Sequence, residues 1–410
     1  MFAVGTTAVA VTARSNDNQT ASCGFSVTVT FTPPPPPPPA TAYGPQSSIT
    51  CPTDAISIAP GENIQTFVDY YPSNTTFCLR AGIHPIYSAI TPASGDKFVG
   101  EYGAILDGSG WTTTDSNQGA FRAHNQDIDD VTIRNLVIRH MPQRAIHAFY
   151  WMSDRWTIEY NELTANQTAL QVPNNSIIRN NNIHHNTGGG YLVWKATNST
   201  FDTNEISYNG TQQKALGTSY LTFRNNFVHH NAGDGIWYDT DNVNGLVEGN
   251  RVEDNGREGI AFEISGRSVI RNNALRRNAS SGIFISTSKE MDIYGNTLES
   301  NFRGIQYFLN CSAVGGGSLV FDLANNNAHD NIVKVGTTSN ALANFFSYIS
   351  SCTATQVAPY LSGSKNLKFD RNQYTVPTNG RYWMWGLMAM KYWSEWLSLS
   401  QDVTGTVVGW

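Results

Sequence analysis

Two acidic residues, Asp239 and Glu263, occupy the same place in two similar phrases of the sequence, GIWYDTDN and GIAFEIS. Each follows a Gly-Ile pair, so the phrases predict two short strands that carry their carboxylates at matching positions. Strands in neighbouring layers lie ~4.8 Å apart, which would bring the two carboxylates close together. Like charges at that distance raise the pKa of one group and leave an acid beside a base, the combination that glycosidic cleavage needs.

The separation of the two carboxyl groups would decide the stereochemistry of such a cleavage. A pair ~5 Å apart suits a retaining mechanism, and a pair ~6.5–9.5 Å apart suits inversion. Asp241, in the turn directly after Asp239, offers a longer separation and is the reserve acid.

Aromatic and basic residues accompany this acidic pair. We expect Trp237 and Trp194 to point outward, where burial cannot explain them. An exposed indole beside carboxylates is a surface on which a sugar ring stacks. Lys214 and Lys195 lie on the repeats between Trp194 and the acidic pair. They are able to pair with the acids or with the carboxylate of a uronate sugar.

Strand alternation extends these positions into an outward-facing ribbon of aromatic and polar side chains. Further substrate-binding residues are expected on it, namely His147, Gln171 and Phe284. Two other interpretations stay open. Asp239 and Glu263 could bind calcium as hard oxygen ligands, or they could be ordinary solvated acids paired with Lys214.

The elements that would position these side chains come from a repeat that begins near residue 130. Segments such as IRNNNIHHN, FRNNFVHHN and IYGNTLESN place asparagines at a period near 23 residues. The two sets are Asn161, Asn181, Asn204, Asn226, Asn250, Asn273 and Asn296, and, five residues after each, Asn166, Asn186, Asn209, Asn231, Asn255, Asn278 and Asn301. Such a period indicates one solenoid coil per repeat. The asparagines would form amide ladders at a bend and satisfy backbone groups there.

These repeats resemble those of right-handed parallel β-helix proteins, the architecture of pectate lyases, polygalacturonases and tailspike hydrolases. The resemblance covers residues 79–375, and FCLRAGIHPI followed by FVGEYGAILDGSG is similar to the entry coils of that superfamily. It implies an all-β fold, a right-handed parallel β-helix with a small N-terminal β fragment, and a substrate groove along the strand of GIWYDTDN. The paired aspartates and the H-G of polygalacturonases are absent, and there is no convincing lyase signature. The resemblance therefore implies the fold more strongly than the reaction.

The chain outside the repeat divides into three parts. Residues 1–32 contain FAVGTTAVAVTA and the ending N-x-x-A-S-C-x-F-x-V-T-V, and they resemble the closing half of a hyalin-repeat (HYR) module, an immunoglobulin-like adhesion domain. Residues 33–47 begin with seven prolines and predict an extended linker. We assign residues 48–378 to the β-helix, and the tryptophan-rich residues 379–410 to a cap over its last coil.

The cysteines bear on the compartment. Cys51 and Cys78 bracket one segment and Cys311 and Cys352 another, so they predict either two disulfides or free thiols. Disulfides would favour an oxidising compartment, and we expect a secreted or cell-surface bacterial protein. In HYR modules the late cysteine pairs with an upstream one that this chain lacks, which leaves Cys23 over. The N-terminus lacks the basic start of a signal peptide, so we expect a truncated chain.

Composition argues against several classes of partner. Charged residues make up 14% of the chain and the formal net charge is -6, so electrostatics indicate neither nucleic acid nor an anionic membrane. No run approaches the ~20 apolar residues of a membrane span. We expect a monomer whose partner is a polysaccharide, with calcium as the one cofactor considered.

Histidines form a second candidate site. His184-His185 and His229-His230 recur at the same place two coils apart. That spacing is ~9–10 Å in backbone terms, too far for one zinc ion without an intervening ligand. Polar turn positions of a repeat commonly look like this, so no metal site is assigned.

Three functions follow from these patterns. The first is a glycoside hydrolase that uses Asp239 and Glu263, with Asp241 in reserve. The second is a lyase or epimerase on uronic-acid glycans, with Lys214 or Lys195 as base and calcium on a carboxylate. The third is a non-catalytic carbohydrate-binding or adhesion module that only presents the ribbon.

Overall fold

The computed structural model describes residues 5–29, 43–123, 125–148, 152–318, 320–336, 341–347, 352–386 and 389–409. Over these ranges the chain is mostly β-structure, with short helices α1 (Ile64–Tyr70), α2 (Ala354–Leu361) and α3 (Trp393–Ser398). None of the helices in this part of the chain is both long and apolar enough to cross a membrane.

Residues 5–29 form an antiparallel hairpin of β1 (Gly5–Arg14) and β2 (Thr20–Val29), in which Val11 faces Cys23. The side chains of residues 6–26 are largely exposed, and Cys23 is a free thiol. The HYR resemblance of this hairpin stays a prediction. The seven prolines, residues 33–39, lie outside the described residues.

The rest of the chain winds into about 11 stacked coils that form a right-handed parallel β-helix, as predicted. Each coil contributes strands to three parallel sheets. The first sheet stacks β3 (Ile56–Ile58), β4 (Thr76–Leu79), β6 (Lys97–Gly100), β9 (Thr132–Arg134), β12 (Thr157–Glu159), β15 (Ile177–Arg179), β18 (Thr200–Asp202), β21 (Thr222–Arg224), β24 (Leu246–Glu248), β27 (Val269–Arg271), β30 (Asp292–Tyr294), β33 (Asn326–His329) and β36 (Leu367–Asp370).

The second sheet stacks β5 (Gly82–Pro85), β7 (Ala104–Asp107), β10 (Val137–Arg139), β13 (Glu162–Thr164), β16 (Asn182–His184), β19 (Glu205–Ser207), β22 (Phe227–His229), β25 (Arg251–Glu253), β28 (Ala274–Arg276), β31 (Thr297–Glu299), β34 (Ile332–Lys334), β37 (Gln373–Thr375) and β40 (Thr406–Val408).

The third sheet stacks β8 (Gly119–Ala123), β11 (Arg144–Ala148), β14 (Thr168–Gln171), β17 (Gly189–Trp194), β20 (Lys214–Leu216), β23 (Ile236–Tyr238), β26 (Ile260–Glu263), β29 (Ser281–Ser286), β32 (Arg303–Leu309), β35 (Ala341–Ser347), β38 (Trp383–Trp385) and, antiparallel at its end, β39 (Met390–Lys391).

Both predicted asparagine ladders are present, at the corners before and after the second sheet. Asn250 shows the pattern: its Oδ1 accepts from the Asn226 backbone N–H at 2.9 Å, and its Nδ2 donates to the Phe223 carbonyl and to Asn273 Oδ1, both at 2.9 Å. The residue before each ladder asparagine has a positive φ, and Gly249 (φ 65°) fills that place without strain. The ladders therefore satisfy the backbone of a tight two-residue corner, as predicted.

The core is a column of inward side chains from all three sheets. In the third sheet Ile236, Ile260, Ile283 and Ile305 lie above one another and are buried. Because strand residues alternate, the side chains between them face outward. This alternation places the ribbon that carries Trp237 and Glu263 on the outer face of the third sheet.

Both ends of the β-helix are closed by additional segments. The predicted disulfides Cys51–Cys78 and Cys311–Cys352 are formed, one near each end. At the C-terminal end Trp383 and Trp396 are fully buried, and Asp402 continues an asparagine ladder by accepting from the Asn372 backbone N–H at 2.9 Å. Burial of these indoles is what a cap over the last coil needs, and it leaves these two rings unavailable to a sugar.

Candidate active site

The outward ribbon consists of two columns of side chains on the third sheet. The strand registers place one column in the order Arg122, His147, Gln171, Leu192, Lys214, Trp237, Ala261, Phe284 and Gln306. The other column runs Trp194, Leu216, Asp239, Glu263, Ser286 and Phe308. Asp239 and Glu263 are therefore neighbours on consecutive coils, with Lys214 and Trp237 beside them.

Asp239 is held as a paired carboxylate at the end of β23. Lys214 Nζ donates to its Oδ2 at 2.9 Å, and the Thr240 hydroxyl donates to its Oδ1 at 3.1 Å. Both carboxylate oxygens are therefore engaged, one of them in an ion pair with a lysine on the preceding coil. The structure thus joins Asp239 to Lys214, one of the pairings that the sequence allowed.

Glu263, at the end of β26, has a different environment. Burial and then the neighbouring charge of Asp239 raise the pKa of Glu263, and the indole N–H of Trp237, which donates to its Oε2 at 3.1 Å, opposes this shift. A carboxyl group with a raised pKa beside a carboxylate that is paired with a lysine is the arrangement of an acid and a base. Between the two residues, Glu263 is the one prepared to hold a proton.

Trp237 is fixed from several sides. Its backbone N–H donates to the hydroxyl of buried Tyr191 at 3.1 Å, and its indole is anchored on Glu263. Two cations lie over the indole ring of Trp237: Lys214 Nζ is 4.9 Å and Arg257 Cζ 5.9 Å from the ring centre. Trp237 is half-buried, and its exposed part lies on a surface that also carries the cations of Lys214 and Arg257 and the acids Asp239 and Glu263.

Trp194 and Lys195 form a second patch, two coils towards the N-terminus. Trp194 is 39% exposed, and Lys195 Nζ lies 5.7 Å from its ring centre. The predicted outward orientation of this tryptophan is confirmed, and it adds an aromatic surface in line with Asp239 and Glu263.

Asp241 accepts a hydrogen bond from the loop that follows β32. Its Oδ1 accepts from the Ser318 backbone N–H at 2.7 Å, across 77 positions of sequence. The loop that follows β32 therefore reaches back to the turn after Asp239. One oxygen of this reserve acid is occupied by that contact.

His147 and Gln171 lie in the outward column, as the sequence predicts, but the expectation that they bind substrate there is wrong because both are buried. They are 1% and 3% exposed, although the register places them in the outward column. The segment before β8 packs against this end of the ribbon, since Arg122 donates to the Asn117 carbonyl at 2.9 Å and Arg144 donates to the Ser116 carbonyl. Outward orientation thus does not mean exposure on these first coils.

Phe284 keeps its place on the ribbon. It is half-buried and its ring centre lies 5.5 Å from that of Phe308 on the next coil. The two rings extend the apolar part of the ribbon beyond Glu263 towards the C-terminus.

The structure adds an acidic pair that sequence reasoning missed, Asp234 and Glu258. They lie at equivalent positions on the two coils of Asp239 and Glu263, and the Glu258 backbone N–H donates to Asp234 Oδ1 at 3.1 Å. Burial, and then the neighbouring side chain of Glu258 and its charge, raise the pKa of Asp234 to about 8, whereas the backbone hydrogen bond from Glu258 opposes this shift. Asp234 therefore holds a proton at neutral pH.

Arg257 lies over this second pair and joins it to Trp237. Its Nη1 is 3.6 Å from Asp234 Oδ2 and its Nε is 3.5 Å from Glu258 Oε2, and neither oxygen has a hydrogen-bond partner among the described residues. Two acid pairs therefore stand on the same two coils, on either side of Trp237. The matching phrases GDGI and GREGI carry the signal that could have revealed this second pair.

Calcium or another metal was considered for the acidic ribbon. Within the part of the chain that the structure describes, no three His, Cys, Asp or Glu side chains are grouped so that they could hold a metal ion. Asp239 is turned towards Lys214 instead, a cation that competes with any metal for the same oxygen.

Comparisons with known proteins agree with this architecture. The profile of the family described as "right handed beta helix region" matches residues 118–244 and 215–327. A comparison with curated proteins gave no match.

Solved structures of low sequence identity share the fold. The A-module of mannuronan C-5 epimerase AlgE6 from Azotobacter vinelandii is 16% identical, with 84% of this chain and 93% of that chain covered and a TM-score of 0.60. The AlgE4 A-module from the same organism is 14% identical, with 84% and 92% covered and a TM-score of 0.59. The catalytic unit of a thermostable GH87 α-1,3-glucanase from Streptomyces thermodiastaticus strain HF3-3 is 13% identical, with 89% and 70% covered and a TM-score of 0.63.

At these identities the likeness shows the fold and leaves the reaction to the site. The family profile spans residues 118–327, more than half of the chain, and the coils it covers carry both asparagine ladders and the acidic ribbon. The chain therefore belongs to the right-handed β-helix family.

Proposed function

We propose that this protein is a secreted glycoside hydrolase that cleaves a polysaccharide lying along the ribbon of the third sheet. Glu263 is the general acid, and the Asp239 carboxylate is its partner as nucleophile or base. The observation that carries the proposal is the contrast between these neighbours: the pKa of Glu263 is raised, whereas Asp239 is paired with Lys214. Similar folds in an α-1,3-glucanase and in mannuronan epimerases support a carbohydrate as the substrate class.

The remaining ribbon residues serve binding. Trp237 positions the Glu263 carboxyl through its indole N–H and offers its ring face to a sugar. Trp194, exposed two coils away, supplies a second stacking surface along the same line. The two disulfides suit the oxidising compartment in which secreted polysaccharide-degrading enzymes work.

Retention of anomeric configuration is the expected outcome. Asp239 and Glu263 stand on consecutive coils ~4.8 Å apart in the backbone, and carboxyl groups ~5–5.5 Å apart serve retaining hydrolases. The anomer released first can be identified by NMR during the early phase of hydrolysis. Release of the inverted anomer would exclude Asp239 as the nucleophile.

The test of function is mass spectrometry of products from a panel that includes α-1,3-glucan, other neutral glycans and mannuronan. Saturated oligosaccharides from the wild type, lost at least 100-fold in Glu263→Gln, support the proposal. The matched control is Glu299→Gln, because Glu299 also ends a strand but lies on the second sheet, where Arg276 pairs with it at 3.4 Å. Equal activity of Glu263→Gln and wild type would overturn the assignment.

Epimerisation or lyase cleavage of a uronate glycan is the second candidate, favoured by the two cations over Trp237. Lys214 and Arg257 could neutralise a uronate carboxylate there. Lys214 already donates to Asp239, which suits charge neutralisation better than the role of base. Products short of one water, or uptake of deuterium from D2O into mannuronan without cleavage, would replace the hydrolase proposal with this one.

A further inference from the structure

Four histidines on the second-sheet side of the β-helix form two pairs of the same geometry. The Nδ1 atoms of His184 and His185 are 2.7 Å apart, and those of His229 and His230 are 2.8 Å apart. The two rings of each pair are close to perpendicular, at 86° and 87°. Because the same contact between ring nitrogens recurs two coils apart, it results from the geometry that the coils share.

The corner after the second sheet brings these rings together. His185 and His230 have positive φ values of 54° and 53°, at the place that precedes a ladder asparagine. This left-handed residue turns the chain, so that its side chain lies beside that of the preceding residue rather than on the opposite face. Two sequence neighbours can then aim ring nitrogens at one point.

The outer partners determine which nitrogen carries hydrogen. His184 Nε2 lies 3.2 Å from Glu162 Oε1, and His229 Nε2 lies 3.0 Å from Glu205 Oε1. A carboxylate accepts, so each of these Nε2 atoms is the donor, and in the neutral ring Nδ1 then holds a lone pair. That lone pair faces the second histidine of its pair, and in the first pair His184 Nδ1 also lies 3.2 Å from the Thr164 hydroxyl.

We propose that each histidine pair binds one copper(II) ion through its two Nδ1 atoms, with water in the remaining positions. Metal–nitrogen bonds of about 2.0–2.1 Å to nitrogens this far apart enclose an angle of about 85°. Tetragonal copper(II) prefers such a right angle, whereas a tetrahedral zinc site needs nitrogens about 3.3 Å apart. His185 and His230 bind by moving their hydrogen to Nε2, and both side chains are exposed.

Glu162 and Glu205 each accept a hydrogen bond from the ring nitrogen that does not bind the metal. A metal-bound imidazole usually donates its other N–H to a carboxylate, which orients the ring and strengthens the ligand. Each pair has this partner on the preceding strand of the sheet, since β13 carries Glu162 and β19 carries Glu205. The proposal needs only two protein ligands per ion, so it is compatible with the finding that no three potential ligands converge in the described chain.

The two ions are expected to be separate. Tyr208 lies between the pairs, its ring stacked on His185 at 5.1 Å and on His230 at 5.0 Å. Two coils place the pairs ~9–10 Å apart, so one ion cannot be shared. The expected stoichiometry is one ion for each pair.

The experiment is a copper(II) titration of the chelator-treated full chain, followed by calorimetry and electron paramagnetic resonance. We expect His185→Ala and His230→Ala each to lose one equivalent, and the double variant to lose both. The matched control is His140→Ala: His140 also has a positive φ (57°), but its Nδ1 contacts Asp107 at 3.2 Å and not another imidazole. The wild type loaded with two ions should show dipolar broadening that each single variant lacks.

Glu162→Gln separates a metal site from a merely structural contact. It should weaken the first site by about 10–100-fold, as loss of such a carboxylate partner typically does, and leave the second site unchanged. Equal copper stoichiometry in the wild type and in the double variant, or no binding by the wild type, would overturn the proposal. Activity on polysaccharides does not enter this test, so the outcome is independent of the proposed hydrolase function.

Discussion

At the scale of single residues, neighbours rather than residue type decide which acid of the ribbon holds a proton. Asp239 has Lys214 at 2.9 Å, whereas Glu263 is mostly enclosed and has the charge of Asp239 nearby. The same argument applies to Asp234, whose pKa is raised by its burial and then by the adjacent Glu258. Asp234 and Glu263, on these two consecutive coils, thus both have a raised pKa.

Replacing Trp237 by phenylalanine should move the alkaline limb of the pH–activity profile to higher pH. The indole N–H stabilises the ionised form of Glu263, so its loss raises the pKa of this acid further and keeps it protonated to higher pH. The measurement is kcat/KM against pH on a substrate found with the panel. Trp194→Phe is the matched control and should leave the limb in place, and an unchanged limb in Trp237→Phe would contradict the role given to the indole.

Asp234→Asn should become more stable than the wild type as the pH rises. The pKa of Asp234 is raised to about 8 in the folded protein, against about 3.9 in an unfolded chain. Its favourable contribution is therefore full below about pH 4 and is lost as the pH rises through about 8. Asparagine stays neutral, so the unfolding free energy of the variant relative to the wild type should increase between pH 5 and pH 9, by at most about 4 kcal/mol.

Denaturant unfolding at several pH values measures this difference. Asp254→Asn is the control of opposite sign, because Arg277 lowers the pKa of Asp254 by hydrogen bonding. Its loss of stability relative to the wild type should be largest at neutral pH and should shrink in acid. A constant difference between Asp234→Asn and the wild type would show that Asp234 is not protonated in the folded state.

At the scale of elements, strands of three or four residues are too short to be stable alone, so the corners matter as much as the strands. Each ladder asparagine links three coils through its side-chain amide and satisfies the backbone hydrogen-bonding groups of a corner. The same corners determine where functional side chains emerge, since they set the start of every third-sheet strand. The loops after the third-sheet strands differ in length from coil to coil, and the loop after β32 reaches Asp241.

Asn250→Ala should lower the unfolding free energy by about 1–3 kcal/mol, because it leaves the buried N–H of Asn226 without an acceptor. Thermal or denaturant unfolding measures the loss. Asn182→Ala serves as the comparison: Asn182 lies on a strand, and its Oδ1 has no hydrogen-bond partner among the residues that the structure describes, so its removal should cost less than about 0.5 kcal/mol. Equal costs would mean that the ladder contributes nothing beyond side-chain packing.

At the scale of the whole molecule, a stack of coils is stabilised by nearest neighbours, and its ends are the places where a neighbour is missing. The two disulfides lie in those regions, at Cys51–Cys78 and Cys311–Cys352. The middle coils contain neither disulfide and depend on the ladders and on the stacked aliphatic column. Stability is therefore expected to differ along the chain.

Reduction of the disulfides should loosen the ends and leave the middle intact. Hydrogen exchange followed by mass spectrometry, with and without a reductant, should show faster exchange around residues 43–80 and 311–352. Residues 161–301 should exchange at an unchanged rate, because each of their coils keeps both neighbours. Faster exchange along the entire chain would indicate that the β-helix unfolds as one unit and that the disulfides stabilise all of it.

Much of the fold could be predicted because the information is local and repeated. The period near 23 residues, the two sets of asparagines and the alternation around Ile236 and Ile260 predict coils, ladders and an outward ribbon, and all three are present. Equivalent positions on consecutive coils must lie side by side, so the proximity of Asp239 and Glu263 also followed from the sequence.

Only the tertiary structure decided what surrounds those positions. Burial of His147 and Gln171, the contact of Asp241 with Ser318 and the cover of Arg257 over Asp234 and Glu258 all depend on non-repeating segments or on long side chains. The periodic part of a sequence specifies which residues stack, because each coil copies the last. Loops and local burial specify protonation and access, because they arise where the copies differ.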